Sequence, residues 1–260
     1  MKKIDVSVVL NMHREALYLR PTLFSLDACA SEAKNAGINV ELIAVFDRPD
    51  EDTIEIFKET SLKAFEQVKT TTIDVGSLGL ARNAGIDLAE GEFVWTSDGD
   101  DLVSRNSIVE LVKTARGNPH PKVVVFIDYW VAFGEQYHVA RYVSSQLLTA
   151  ADFAFHHPYV SRIFIRRSAL DSLRYRDIKL TTGFAYEDWD FNARLFAAGF
   201  EFLIAPNTII FYRQRSGSLL KQANTLSAKL IPHSPLFEPT AYLASMSESR
   251  KRNPEWQNFI

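Results

Sequence analysis

The chain has 260 residues, 47% hydrophobic and 23% charged, enough for a sizeable buried core, which excludes disorder as its main state. A net charge of −3 offers no global basic field, which excludes binding of nucleic acid or an anionic membrane by bulk electrostatics. The single cysteine, Cys29, excludes an intramolecular disulfide framework and fits a reducing cytoplasm, and no run approaches the ~20 apolar residues of a transmembrane segment.

Residues 4–10, IDVSVVL, read as a first strand, and the two lysines before them lack the apolar length and cleavage site of a signal peptide. Residues 15–37 carry Leu19, Leu23, Leu26 and Ala30 at helical spacing and stop at Gly37, with Pro21 expected to kink or interrupt the helix. A second buried strand, 40–46, runs into Asp47, and PDEDTIEIFKET then places acids at a helix start, where the macrodipole favours them. A third strand, 68–73, a helix over 77–91 closed by Gly91, and a fourth strand over 92–97 follow. That strand ends in Asp98, Gly99, Asp100 and Asp101. SIVELVKTARGN reads as a helix and KVVVFIDYWVAF as a long strand, while 134–165, rich in aromatic residues and histidine, shows no clear period.

Residues 187–200 form an expected helix with Phe191, Leu195 and Ala198 on one face and Gly199 at its stop. FEFLIAP and NTIIFYRQR read as two strands. From Ser216 onward serines and prolines thin the apolar pattern, so the chain divides into a domain over 1–218 and a C-terminal arm over 219–260, whose Trp256 and Phe259 offer docking to a partner or to a second copy as a homodimer. The alternation predicts an α/β fold with a mostly parallel sheet flanked by helices.

The acidic cluster therefore follows the C-terminal end of a strand, the edge where open α/β sheets bind ligands. Such carboxylates can cap a helix, stabilise a turn or hold a hard divalent cation. Asp47, the pair Arg82 and Asn83, and a second acidic group of Glu187, Asp188 and Asp190 fall on the same edge. One carboxylate set can hold a metal that neutralises a diphosphate while another takes a proton from an attacking hydroxyl, which is a transferase layout. Each residue also has a plainer reading. The second acidic group suits a helix start, Arg82 a surface pair, and Arg213 and Arg215, two apart on one strand face, a solvated edge. His13 reads as a loop histidine, His156 and His157 as loop or acceptor-site residues, and Trp130 and Trp189 as core or sugar-stacking rings.

Taken in order, these motifs resemble the family 2 inverting glycosyltransferases of GT-A fold. The opening VSVVLNMHREALYLRPTLFSL, the acid in VFDRPDEDT, the Ala-Arg-Asn element in GSLGLARNAGIDLAEGEFV, SDGDD, YEDWDFNARLFAAGF and FYRQRSGS are each similar to a family motif, over about residues 4–218. The resemblance implies a single Rossmann-like GT-A domain and a nucleoside-diphosphate sugar donor, UDP or GDP, with a glycan, lipid-linked or cell-envelope acceptor. It implies that Asp47 and Arg82 line the nucleotide pocket, that Asp98 contacts ribose or the metal, and that Asp100 coordinates Mg²⁺ or Mn²⁺. Asp101 is expected to cap the helix beginning near Ser104. By the same resemblance Asp188, with Glu187 beside it, is the catalytic base, and Arg213 or Arg215 stabilises the leaving diphosphate. A cytoplasmic protein, free or peripheral at the inner membrane face, is the expected setting. Leu10-Asn11-Met12 and Arg48-Pro49 depart from the family's turns at that pocket and leave the donor base open. The rivals are a nucleotidyltransferase, which would need a glycine-rich loop where LNMHREA stands, and a non-catalytic sugar-binding or scaffold domain of the same fold.

Overall fold

A computed structural model describes residues 2–159, 162–226 and 230–252. Trp256 and Phe259 lie outside the described residues. The first half alternates as its apolar pattern requires: β1 (Val6–Met12), α1 (Ala16–Asn35), β2 (Val40–Asp47), α2 (Glu51–Glu59), β3 (Gln67–Ile73), α3 (Leu78–Asp87) and β4 (Phe93–Asp98). Strands β1 and β2 are buried at every residue because helices cover both faces, whereas β3 alternates half-buried and exposed positions at the sheet's edge. These four strands pair in parallel in the order β3-β2-β1-β4.

The second half follows with β5 (Leu102–Val103), α4 (Ser107–Gly117), β6 (Val123–Gly134), β7 (His138–Arg141), α5 (Ala150–Phe155), β8 (Phe164–Arg166), α6 (Glu187–Ala197), β9 (Glu201–Gln214), α7 (Leu219–Thr225) and α8 (Pro239–Arg252). Here the expected mostly parallel sheet becomes mixed. The three-residue β8 inserts antiparallel between β4 and β6, β7 and β5 also pair antiparallel, and only β6 and β9 restore the parallel sense. Leu19, Leu23, Leu26, Trp95 and Leu111 form the core on one face of the sheet, and Ile86, Phe153, Phe191, Leu195 and Phe202 form the core on the other.

Three local expectations change. Helix α1 runs unbroken through Pro21, because the missing N–H affects only one bond, to the carbonyl of Leu17, a residue 80% exposed. Helix α3 ends at Asp87, before Gly91, and Gly91 instead serves close packing: a Cβ there would stand 2.7 Å from the Ser7 amide nitrogen. The two strands expected at 200–215 are one, β9, whose register against β6 shifts between Ile127 and Tyr129. Buried Asp128 holds that irregularity, accepting the Asn207 N–H (3.0 Å) and donating its own N–H to Thr208 Oγ1 (3.0 Å). Beyond residue 218 the chain returns to the same body, with Leu236, Phe237 and Tyr242 packed into the second core.

Helix α3 crosses β1 and β2 at Gly85, where an added Cβ would meet Val9 Cγ1 at 2.3 Å and Val45 Cγ2 at 2.9 Å. Gly85→Ala is expected to destabilise the fold by about 1–3 kcal/mol through overpacking, read as a lower urea midpoint at unchanged slope. A midpoint equal to the parent's would show that the helix does not need this close approach.

Candidate active site

The parallel strands end together, so their terminal side chains meet at one edge. Asn11 of β1 lies in register with Asp98 of β4, and Asp47 closes β2 beside them. Asp47 is occupied by backbone. Its Oδ1 accepts the Val75 and Gly76 N–H groups (2.9 and 3.0 Å) and its Oδ2 the Ser77 N–H (3.2 Å), which ties down the loop entering α3. Gly76, at φ +60°, permits the turn. His13 is a loop histidine, as its sequence context suggests, with Nδ1 against the Asp47 carbonyl oxygen.

Arg82 is the centre of the arrangement. Its side chain is fully buried, Nη1 donates to Glu187 Oε1 (2.7 Å), and Nη2 reaches Asp98 Oδ1 (3.3 Å) and Oδ2 (3.5 Å). The guanidinium also lies 5.2 Å from the centre of the Tyr175 ring. One side chain of α3 thus joins the end of β4 to the start of α6. Next to it, Asn83 locks the 175 segment in place by exchanging two hydrogen bonds with the Tyr175 backbone (2.8 and 3.1 Å). Burial, together with the neighbouring Asp188 carboxylate, pushes the Glu187 carboxyl up to about 7 against the pull of Arg82.

Helix α6 begins abruptly. Tyr186, its N-cap, sits in the left-handed region at φ 62°, so the chain turns sharply to bring Glu187 and Asp188 to the edge. Asp188 Oδ1 accepts the Trp189 N–H (2.9 Å), and Oδ2 stands 3.9 Å from His157 Nε2. Asp190, the third acid, turns inward to Arg194 (2.9 Å) and Arg176 (3.1 Å) and is structural.

Below the Asp98–Asp101 turn, Arg213 of β9 and Arg215, just past its end, grip the acids. Arg213 donates from its backbone N–H to Asp101 Oδ1 (2.8 Å) and from Nε to the Asp100 carbonyl (2.9 Å), with its guanidinium flanked by the Tyr18 and Phe133 rings. Arg215 donates from Nε to Asp100 Oδ2 (2.8 Å) and pairs through Nη2 with Glu15 (3.3 Å). Asp101 does not cap a helix. It is 1% exposed, three residues short of the helix start expected at Ser104, while α4 begins only at Ser107. Its Oδ2 lies 3.5 Å from the buried Arg162, and burial pushes its carboxyl up to about 8.

All the sequence-derived site residues, Asp47, Arg82, Asp98, Asp100, Glu187, Asp188, Arg213 and Arg215, come to this edge. Two further residues, Glu15 and Arg162, were not singled out for it, whereas His157 was read as a loop or acceptor-site residue. Glu15 completes the Arg215 pair, Arg162 lies beneath the turn, and His157 faces Asp188. The sequence signal for Arg162 was weak, a charge at the head of the apolar run Ile163–Ile165 that Arg166 and Arg167 follow. Among the described residues no group of three or more His, Cys, Asp or Glu side chains is placed to hold a metal. Asp98 and Asp100 fit a cation only in the mode in which one or two carboxylates share it with substrate phosphates.

The fold is that of the GT-A glycosyltransferases. The chain belongs to glycosyl transferase family 2, whose model matches residues 7–174. It is 27% identical over 177 residues to the minor teichoic acid biosynthesis protein GgaB of Bacillus subtilis (strain 168), covering 66% of this chain and 19% of that protein, so it spans less than a fifth of the relative's length. Among solved structures it superposes on S. aureus TarS residues 1–349 in complex with UDP-GlcNAc, with a TM-score of 0.66 at 14% identity, covering 98% of this chain and 73% of that one. The same TarS fragment in complex with UDP gives 0.64 at 15% identity, covering 98% and 72%. No helix of the described residues is long and apolar enough to cross a membrane.

Arg82→Ala strands two largely buried carboxylates and is expected to cost about 3–5 kcal/mol in chemical denaturation at pH 7. Glu187 binds its proton more tightly folded than unfolded, so its contribution to stability is present below pH 4.5 and is lost as pH rises to about 7. Glu187→Gln should flatten the stability profile across that window. An unchanged slope would show that Glu187 titrates alike in both states.

Proposed function

We propose that this family 2 glycosyltransferase moves a sugar from a UDP-sugar onto a hydroxyl of a cell-envelope polymer of the teichoic acid type, with inversion at the anomeric carbon. The observation that carries the reading is the Arg82 bridge, which sets the acids at the end of β4 and the acids at the start of α6 on one edge at a fixed separation. The ligands of the TarS structures, UDP-GlcNAc and UDP, support the donor class, and the name of GgaB supports the acceptor class. Inversion rests on the family resemblance.

In this reading Asp188 removes the acceptor hydroxyl proton as its oxygen attacks the anomeric carbon, and the nucleoside diphosphate departs from the opposite face. Asp47 and the loop it holds, with Arg82 behind them, shape the nucleotide pocket. A Mg²⁺ or Mn²⁺ ion held by Asp100 and Asp98 would neutralise charge growing on the leaving diphosphate. Arg215, paired here with Asp100, would add its positive charge near the phosphates of the leaving diphosphate, and Arg213 would hold the turn in place.

The test is a thermal-shift screen of UDP-, GDP-, CDP- and dTDP-sugars with and without Mn²⁺. UDP-sugars should raise the melting temperature, and the rise should need the ion, with about 2.7 kcal/mol gained at a hundredfold excess over Kd. Asp100→Ala should lose the ion-dependent part. Asp188→Asn should keep donor binding and lose roughly 10²–10⁴-fold in turnover. Absence of any shift with all four nucleotide sugars would sink the proposal.

A further inference from the structure

Trp189 and Asn192, on α6, tie that helix to the segment running from α5 to Tyr159. The Trp189 indole N–H donates to the Phe153 carbonyl (2.8 Å), and Asn192 Nδ2 donates to the Tyr159 carbonyl (3.0 Å). Tyr159 is itself buried and fixed, its hydroxyl donating to the Val143 carbonyl (2.6 Å). His157 lies between these two ties. Its ring stacks on that of Trp189, with centroids 5.7 Å apart and planes within 11°. Its Nε2 is buried, faces Asp188 Oδ2 at 3.9 Å, and has no hydrogen-bond partner among the described residues. A buried ring nitrogen left without a partner costs free energy comparable to a lost hydrogen bond, unless a partner arrives in another state of the site.

We propose that His157 is a positioning residue for Asp188, its Nε2–H donating to Oδ2 when the acceptor is bound. The closure needed is about 1 Å, within the reach of a side-chain adjustment. The Trp189 backbone N–H already holds Oδ1, and the His157 bond to Oδ2 would narrow the carboxylate's orientation further and so the place where the acceptor hydroxyl delivers its proton. The stack on Trp189 sets the ring plane, so the donor direction is fixed before substrate arrives. The inference rests on Asp188 being the base. The charged and titratable groups facing the imidazole are Asp188 of α6, Arg82 of α3 and the adjacent His156.

The full chain, free of ligand, allows the test by ¹H–¹⁵N NMR of labelled histidine, with His157 assigned from the His157→Gln spectrum. The expected result is the Nε2–H tautomer at neutral pH and a His157 pKa that falls by about half a unit or more in Asp188→Asn, where the stabilising negative charge is gone. An Nδ1–H tautomer, or a titration that Asp188→Asn leaves unmoved, overturns the proposal. In turnover, followed as UDP release from UDP-GlcNAc, His157→Ala should lower kcat by about 10- to 100-fold with donor KM unchanged, and His157→Gln should restore most of it. Inactive Asp188→Asn beside fully active His157→Ala overturns the pairing and leaves the base standing. An Asp188→Asn variant that keeps its turnover removes the base, and the pairing with it.

Discussion

A guanidinium without water around it has to be answered by carboxylates, and in this protein the answer organises the site. Arg82 is wholly buried, and its two partners come from elements far apart in the chain, Asp98 at the end of β4 and Glu187 at the start of α6. Neither acid can leave without stranding a charge, so the distance between the two acidic groups is set by one planar side chain. Tyr175, beneath the guanidinium, and Asn83, bound to the Tyr175 backbone, bring the 175 segment into the same unit. The end of β4 and the start of α6 are thereby parts of one electrostatic object.

The same logic repeats on a smaller scale under the Asp98–Asp101 turn. Arg162 meets Asp101, Arg215 meets Asp100, and Glu15 takes the remaining reach of Arg215. Four acids crowd here in a chain of only −3 net charge, and each has a cation beside it. Three arginines, Arg82, Arg162 and Arg215, the last shared between Asp100 and Glu15, reduce the repulsion that so acidic an edge would otherwise build beside a well-packed core.

Much of this could be read from local sequence. Strands β1, β2 and β4 were legible because burial on both faces leaves near-continuous apolar runs, and SDGDD and EDWD were legible because their acids are neighbours in sequence. What escaped depends on distance or on very short elements. The Arg82–Glu187 bond spans 105 positions, and no periodicity encodes it. Strand β8 has only three residues, too few to show a period, yet it is the insertion that makes the sheet mixed. Asp101 was read as a cap because an acid shortly before a helix usually is one, whereas the preceding strand's direction carries it inward to Arg162. The apparent break at Pro206-Asn207 reads as a loop by residue type, but Asp128 supplies the hydrogen bonds that let the strand continue.

That continuity has a mechanical meaning. Strand β9 follows β6 from Glu201 to Gln214, so Arg213 and its neighbour Arg215 stand at the tip of a beam anchored deep in the sheet rather than on a flap. A side chain on such a beam can change rotamer, but its backbone cannot swing. Any breathing of the cleft during a catalytic cycle then falls to segments other than this wall. The wall itself serves as the fixed jaw against which they close.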